Sequence, residues 1–276
     1  MPFLSLKQAI QQGTELLEKG GVGSARLTAE VLLCHAIAHE RPFLYAHPEQ
    51  ELREVEWIHY GRYLHERIRG KPTQYITHKQ EFYGREFRVT PDVLIPRPET
   101  EHVVEAVLHI PADRIVDVGC GSGAIAVTLA LERGASVIAT DISAAAVGVA
   151  AENARRLGAR VQFTQADLLS AFAHTSMDMV VSNPPYVSLA ARDTLQREVR
   201  DWEPELALYG GATGAEIYAR LIADASRVLK PGGWLVLELG FDSLPLIAPM
   251  LARWRDVRTI PDLAGIARVL VCQLVV

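Results

Sequence analysis

From Arg114 onward the chain repeats one short unit, and that repeat limits the fold more than any other feature. The run Arg114-Ile115-Val116-Asp117-Val118 is mostly apolar and rich in β-branched residues, so it reads as a buried strand. Gly119-Cys120-Gly121-Ser122-Gly123 follows at once, and an alanine-rich helix opens at Ala124. Glycines so spaced let the backbone leave a strand, turn sharply and enter a helix while approaching a ligand closely. The rhythm returns along the chain. Strands are expected near 114–118, 136–140, 160–164, 177–182 and 233–239, and helices near 123–132, 143–156, 215–229 and 243–254. Such alternation implies an α/β fold, a parallel sheet with helices on both faces. The last strand-like pieces, around Val257 and over 268–276, have no helix between them and are expected to pair antiparallel at one sheet edge.

The first quarter of the chain reads differently. Ser5-Leu6-Lys7-Gln8 is a capping box that opens a helix with Leu6, Ala9, Ile10 and Leu17 inward, ended by Gly20-Gly21. A second helix is expected from near Ser24, with Leu27, Val31, Cys34 and Ala38 on one side. A third, longer one is expected from near Pro48 to Gly70, using Leu52, Val55, Ile58 and Leu64. From Gln74 to Leu94 the texture turns β-prone: Tyr75-Ile76, Phe82-Tyr83, Phe87-Arg88-Val89 and Val93-Leu94, separated by Gly84 and Pro91. The prolines of Leu94-Ile95-Pro96-Arg97-Pro98-Glu99-Thr100-Glu101 then enforce extended backbone up to a helix near Thr100 with Val103, Val104 and Val107. The chain thus divides into a helical domain over 1–73, a β-hairpin connector over 74–95 and an α/β domain over 96–276.

Charge and cysteine content exclude several function classes. Hydrophobic residues make up 49% and charged residues 22%, enough for a full core. Residues 1–85 carry 11 Lys/Arg against 10 Asp/Glu, and the remainder 17 against 23. Neither part has the basic excess of a general nucleic-acid binder. Cys34, Cys120 and Cys272 lie far apart, without metal-ligand spacing, as expected in a reducing compartment. With no secretory signal and no apolar stretch of membrane-spanning length, the expected location is the cytoplasm.

The chemistry-bearing residues fall at strand ends. Asp141 ends the second strand, 22 residues after Gly119, where a carboxylate can take both hydroxyls of a ribose. Asp167-Leu168 follows the third strand, where an adenine amino group can be read. Gly119-x-Gly121-x-x-Ala124 also satisfies the dinucleotide fingerprint, so a nicotinamide enzyme stands as an alternative. The fourth strand runs into Ser182-Asn183-Pro184-Pro185-Tyr186. Asn183 offers a carbonyl acceptor, and the prolines present bare carbonyls on a stiff backbone. Such a corner can accept two hydrogen bonds from one planar –NH2 group. An ordinary Asn-Pro turn leaving a strand has the same letters.

Taken together, Asp117-x-Gly119-x-Gly121-x-Gly123, Asp141, Asp167 and Asn183-Pro184-Pro185-Tyr186 resemble the S-adenosylmethionine-dependent methyltransferases. More narrowly, nearly the whole chain is similar to the bacterial release-factor glutamine methyltransferases of the HemK type. The most specific stretches are Leu94–Glu101, Ser182–Tyr186, Glu203-Pro204-x-x-Ala207-Leu208, Gly210-Gly211-x-x-Gly214 and Leu229-Lys230-Pro231-Gly232-Gly233. Two positions depart from the family pattern: His78, where glycine is usual, and Ala267, where an aspartate precedes the arginine.

The resemblance implies a Rossmann-like seven-stranded sheet and S-adenosyl-L-methionine as methyl donor, leaving S-adenosyl-L-homocysteine. It implies as substrate the Gly-Gly-Gln glutamine of class 1 peptide chain release factors, with neither membrane nor sequence-specific nucleic acid as partner. It assigns Gly119, Cys120, Gly121, Ser122, Gly123, Asp141, Asp167, Leu168, Arg97 and Asn183 to the cofactor. Asn183, Pro184, Pro185 and Tyr186 fall to the substrate amide, with Asn183 and Pro184 catalytic. A ribosomal-protein glutamine methyltransferase and an adenine-amino DNA methyltransferase share the Asn-Pro-Pro-Tyr chemistry and are the rival readings.

Overall fold

The computed structural model describes residues 4–262 and 264–275. Contacts divide the chain into two compact units, Met1–His78 with Gln196–Trp202, and Lys79–Leu195 with Glu203–Val276.

The first unit is helical: α1 (Leu6–Lys19), α2 (Ala25–Ile37), α3 (Arg41–Ala46), α4 (Glu54–Ile68) and α5 (Thr73–Thr77). The capping box at its start is formed, with Gln8 N donating to Ser5 Oγ at 3.3 Å and Ser5 N to Gln8 Oε1 at 3.0 Å. The single long helix expected over 48–70 begins only at Glu54, as α4, and residues 48–53 belong to the loop between α3 and α4. There the backbone pairs with the N-terminal segment: Leu52 N donates to Leu4 O and Leu6 N to Gln50 O, both at 2.9 Å. Leu52 is therefore buried outside any helix. The buried faces of α2 and α4 also differ from expectation, except that Leu64 is buried as expected. Ala29, Leu32, Leu33 and Ile37 point inward from α2, and Tyr60 and Leu64 from α4, while Leu27, Val55 and Ile58 are exposed. Both helices carry two apolar rows, and periodicity does not choose between them. Tyr75-Ile76 lies in α5, which starts after Pro72, rather than in a strand. His78 is exposed and left-handed (φ 60°) at the end of α5, a conformation that suits glycine better than a residue with a Cβ.

The second unit opens with a hairpin, β1 (Lys79–Phe82) and β2 (Arg85–Arg88). Tyr83 and Gly84 both have positive φ, 51° and 68°, as a two-residue type I′ turn requires. Val93-Leu94 is not a strand; it runs in the loop that leads to α6 (Glu101–Leu108). The large sheet then uses β3 (Arg114–Val118), β4 (Ser136–Asp141), β5 (Val161–Gln165), β6 (Met177–Ser182), β9 (Leu229–Glu238), β10 (Trp254–Pro261) and β11 (Ala267–Leu274), in the order β10-β11-β9-β6-β3-β4-β5. A small parallel pair, β7 (Val187–Ser188) with β8 (Tyr209–Gly211), lies outside it. β11 is antiparallel to β9 and β10, and the other pairs are parallel. The expected α/β sheet with its antiparallel C-terminal edge is thus present; Val276 lies outside the described residues.

Its helices are α7 (Ala124–Arg133), α8 (Ala144–Leu157), α11 (Glu216–Val228) and α12 (Ser243–Ile247). Before β8 the chain forms two short helices, α9 (Arg197–Trp202), which belongs to the first unit, and α10 (Glu205–Leu208), which belongs to the second. The helix expected over 243–254 stops at Ile247 and continues as a 3-10 turn, Ala248–Leu251, containing Pro249. Proline has no N–H to continue an α-helical ladder. Strand alternation feeds two cores: Ile115 packs with Val103, Val107, Ile125 and Ala150, while Val116 and Val118 pack with Tyr218, Leu221 and Leu235. Among the described residues no helix is long and apolar enough to cross a membrane.

The decisive topological fact is that β4 and β5 lie on one side of β3 and β6 on the other. Strand order reverses there, which opens a crevice at the carboxyl ends of the strands.

Candidate active site

β3 and β6 are in register with Val118 beside Ser182, and Ser182 Oγ donates to Val118 O at 2.6 Å. Gly119 and Asn183 therefore leave the sheet side by side. Between them opens a cavity of about 290 Å³ lined by Gly119, Gly121, Asp141, Leu168, Asn183 and Pro185 among others.

Gly119 (φ 72°) and Gly121 (φ 53°) face this space, and a Cβ on either would meet nothing within 4 Å. Gly123 serves another purpose: its missing side chain lets α7 pack on α8, since a Cβ there would lie 3.1 Å from that of Ala150. Cys120 and Ser122 are buried and do not line the cavity. The Cys120 side chain joins the core, where burial pushes its thiol pKa well up. Ser122 O accepts from Asn153 Nδ2 at 2.9 Å.

Asp141 reaches the cavity with both oxygens anchored by backbone amides, Gly121 N on Oδ2 and Ser143 N on Oδ1, each at 2.9 Å. Deeper in, Asp117 is buried and accepts from Ala126 N at 3.1 Å, in the first turn of α7. Its Oδ1 has no partner among the described residues. Burial raises its pKa from 3.8 to about 7. Asp167 is exposed and ion-paired with Arg220 at 2.7 Å; both line the cavity. Leu168 holds a left-handed backbone (φ 49°), with its carbonyl accepting from Thr140 Oγ1 at 3.3 Å.

On the other wall, Asn183 Nδ2 donates to Thr100 Oγ1 at 3.1 Å. Pro184 is buried, and neither it nor Tyr186 lines the cavity, whereas Pro185 does. Three glycines hold this loop. A Cβ on Gly210 would lie 2.5 Å from Pro185 O, on Gly214 2.4 Å from Tyr186 O, and on Gly240 2.7 Å from the Tyr186 ring. Arg97 points elsewhere: its Nη2 meets Glu203 Oε1 at 2.5 Å, and Ile95 N donates to Glu203 Oε2 at 3.4 Å. Arg97 does not line the cavity, but this pair ties the loop before α6 to the segment Pro204–Tyr209, whose residues Pro204, Leu206, Ala207 and Tyr209 do.

Sequence reasoning did not find that returning segment, nor Val93, Leu94, Ile142 and Ile217 as lining. They are apolar wall residues, which carry no local signal. Glu203-Pro204 was visible as a motif, without an indication of where it folds.

Residues 8–77 match the model of the PrmC N-terminal domain, and residues 99–201 that of the methyltransferase small domain. A protein of Koribacter versatilis called release factor glutamine methyltransferase is 45% identical over 97% of this chain and 98% of its own length. One of the same name from Nitratidesulfovibrio vulgaris is 42% identical over 96% and 93%. Among solved structures, a T. thermophilus 16S rRNA methyltransferase in complex with AdoMet and guanosine is 20% identical, with a TM-score of 0.53 over 71% of this chain and 49% of that one. That likeness concerns the fold.

Proposed function

The chain belongs to the release factor glutamine methyltransferase family, and from that premise we propose that it methylates the side-chain amide nitrogen of a release-factor glutamine, with S-adenosylmethionine as donor, in the cytoplasm. The observation that carries the reading is the juxtaposition, across one cavity, of a glycine-lined strand end with Asp141 and an asparagine whose amide is held by Thr100.

The residues present suit the donor. Gly119 and Gly121 leave open the volume that side chains would occupy. Asp141, with each oxygen already holding one amide, keeps lone pairs for ribose hydroxyls. Leu168, Ile142 and Leu206 offer apolar walls for a flat base, with Asp167 at its edge. When bound, S-adenosylmethionine supplies a methyl group on a cationic sulfur.

An amide nitrogen is a poor nucleophile because its lone pair is delocalised into the carbonyl. The task of the protein is to aim that nitrogen. With Nδ2 of Asn183 engaged by Thr100, its Oδ1 is left to accept one substrate N–H, and the Pro184 carbonyl accepts the other. Two acceptors fix the plane of the carboxamide and turn the nitrogen face toward the donor side of the cavity. Transfer would replace one amide hydrogen by the methyl group: the methyl–sulfur bond would break as the N–C bond forms, the sulfur would leave as a neutral thioether, and the displaced proton would pass to solvent. Alignment of this kind is worth about 7–11 kcal/mol in favourable cases. The helical unit, 1–73 in the sequence division, takes the role of recognising the release factor, with 74–95 as connector to the 96–276 methyltransferase domain.

Labelled methyl transfer to a release factor, to ribosomal proteins and to DNA, with mass spectrometry of the product, tests the reading. Methyl-glutamine in the Gly-Gly-Gln motif is expected, and label confined to a ribosomal protein or DNA refutes it. Asn183→Ala is expected to lose transfer far more than cofactor affinity; unchanged turnover rejects the role given to Asn183.

A further inference from the structure

Glu238 ends β9 with its side chain buried beneath the Asn183 loop, 2% exposed, and none of the assignments above uses it. Its Oε2 accepts from Thr100 Oγ1 at 2.6 Å, its Oε1 from Tyr186 Oη at 3.3 Å, and Thr100 Oγ1 in turn faces Asn183 at 3.1 Å. We infer that Glu238, acting through Thr100, sets which way the Asn183 carboxamide faces, and so is a positioning residue for the transfer. This deepens the methyl-transfer reading and rests on it.

The logic is proton counting. A threonine hydroxyl has one hydrogen. Against an ionised carboxylate, which only accepts, that hydrogen goes to Glu238. Toward Asn183 the Thr100 oxygen can then only accept, so the amide must present Nδ2 to it. Oδ1 is thereby forced to the other side, where a substrate –NH2 needs an acceptor. A flipped amide would present its own –NH2 to the substrate –NH2, donor against donor. Tyr186 supports the arrangement from the same loop: its phenol donates to Glu238, and burial pushes its pKa up, so it keeps its proton. Tyr218 Oη holds the strand end by donating to Glu238 O at 2.7 Å and accepting from Gly240 N at 3.3 Å.

Burial, partly offset by the Thr100 and Tyr186 hydrogen bonds, raises the Glu238 pKa from 4.5 to about 7; the nearby Glu99 raises it and Arg268 lowers it. A protonated Glu238 can donate to Thr100 Oγ1, which frees the threonine hydrogen to turn toward Asn183 and favour the flipped amide. The direction of the relay thus depends on the carboxylate, and weakens as pH falls through 7.

The test uses the full-length enzyme, S-adenosylmethionine and a Gly-Gly-Gln release factor between pH 6 and 9. Thr100→Val removes the hydroxyl at constant shape, and roughly a hundredfold loss of kcat is expected from the misaligned amide, with affinity for S-adenosylhomocysteine within twofold of the parent. Thr100→Ser restores the hydroxyl and is expected to recover most of the rate. The parent is expected to lose kcat below a midpoint near pH 7. Glu238→Gln is expected to lack that limb, being slower throughout because its amide supports both directions of the relay. A Thr100→Val enzyme at parental kcat, an equal loss of cofactor affinity, or an acid limb that persists in Glu238→Gln overturns the inference. If Thr100→Val does not fold, the Glu238→Gln profile decides. If the parent methylates no release factor, the function reading falls, and the relay is judged by the Asn183 side-chain –NH2 resonances. A shift with a midpoint near pH 7 in the parent, absent in Glu238→Gln, sustains it; no shift refutes it.

Discussion

Replacing Gly210 by alanine isolates the geometry of the Asn183 loop from the chemistry of its side chains. Gly210 lies in β8, and its φ is not in the left-handed region, so alanine carries no backbone penalty of its own. The added Cβ would sit 2.5 Å from Pro185 O and 2.6 Å from Gly214 O, both backbone atoms. Carbon–oxygen contacts settle near 3.3 Å, so the Pro185 peptide must retreat by about 0.8 Å. The neighbouring Pro184 carbonyl, the second acceptor for the substrate amide, moves with it. A displacement approaching 1 Å at a reacting group costs up to about 10²-fold in rate. Overpacking also lowers stability, by about 1–3 kcal/mol. Gly210→Ala is therefore expected to lower kcat by roughly 10- to 100-fold while S-adenosylhomocysteine still binds, because Gly119, Gly121 and Asp141 are untouched. The assay pairs single-turnover methyl transfer with calorimetric titration of that product and thermal unfolding. The control is Gly61→Ala, in mid-helix with nothing within 4 Å, where a neutral or slightly stabilising effect is expected. A Gly210→Ala enzyme with parental kcat would show that the loop tolerates the shift and that Pro184 O is not a critical acceptor.

Asp141→Asn turns one of two acceptors into a donor beside Gly121 N or Ser143 N, so S-adenosylhomocysteine affinity is expected to fall about 10- to 100-fold; calorimetry at parental affinity contradicts the ribose assignment. Glu203→Gln weakens the tie between Arg97 and the Pro204–Tyr209 segment, and cofactor affinity is expected to fall although neither residue of that ion pair lines the cavity; unchanged titration removes the link. For stability against pH the sign follows from Glu238, whose carboxyl burial raises from 4.5 to about 7. The folded protein then binds the proton more tightly than the unfolded chain, so this stabilising term is complete below about pH 4.5 and is lost as pH rises to about 7. The stability of Glu238→Gln relative to the parent is expected to grow across that window and to level off above it; a constant difference in chemical denaturation refutes the burial argument.

Local rules made the strand–glycine–helix turn at Gly119–Gly123 legible, along with the acidic strand ends, the capping box at Ser5 and the seven strands of the sheet. Each depends on residues within a few positions of one another: a glycine at positive φ, alternation of period two, a hydroxyl reaching an amide three residues on. Tertiary structure decided the rest. It put β6 beside β3, bringing Asn183 next to Gly119, and it chose the Tyr60 row of α4 over the Val55 row. It carried Pro204–Tyr209 back to the cavity and joined Thr100 to Glu238 across 138 positions. A buried carboxylate meets whichever hydroxyl the packing delivers, and no spacing along the chain records that meeting.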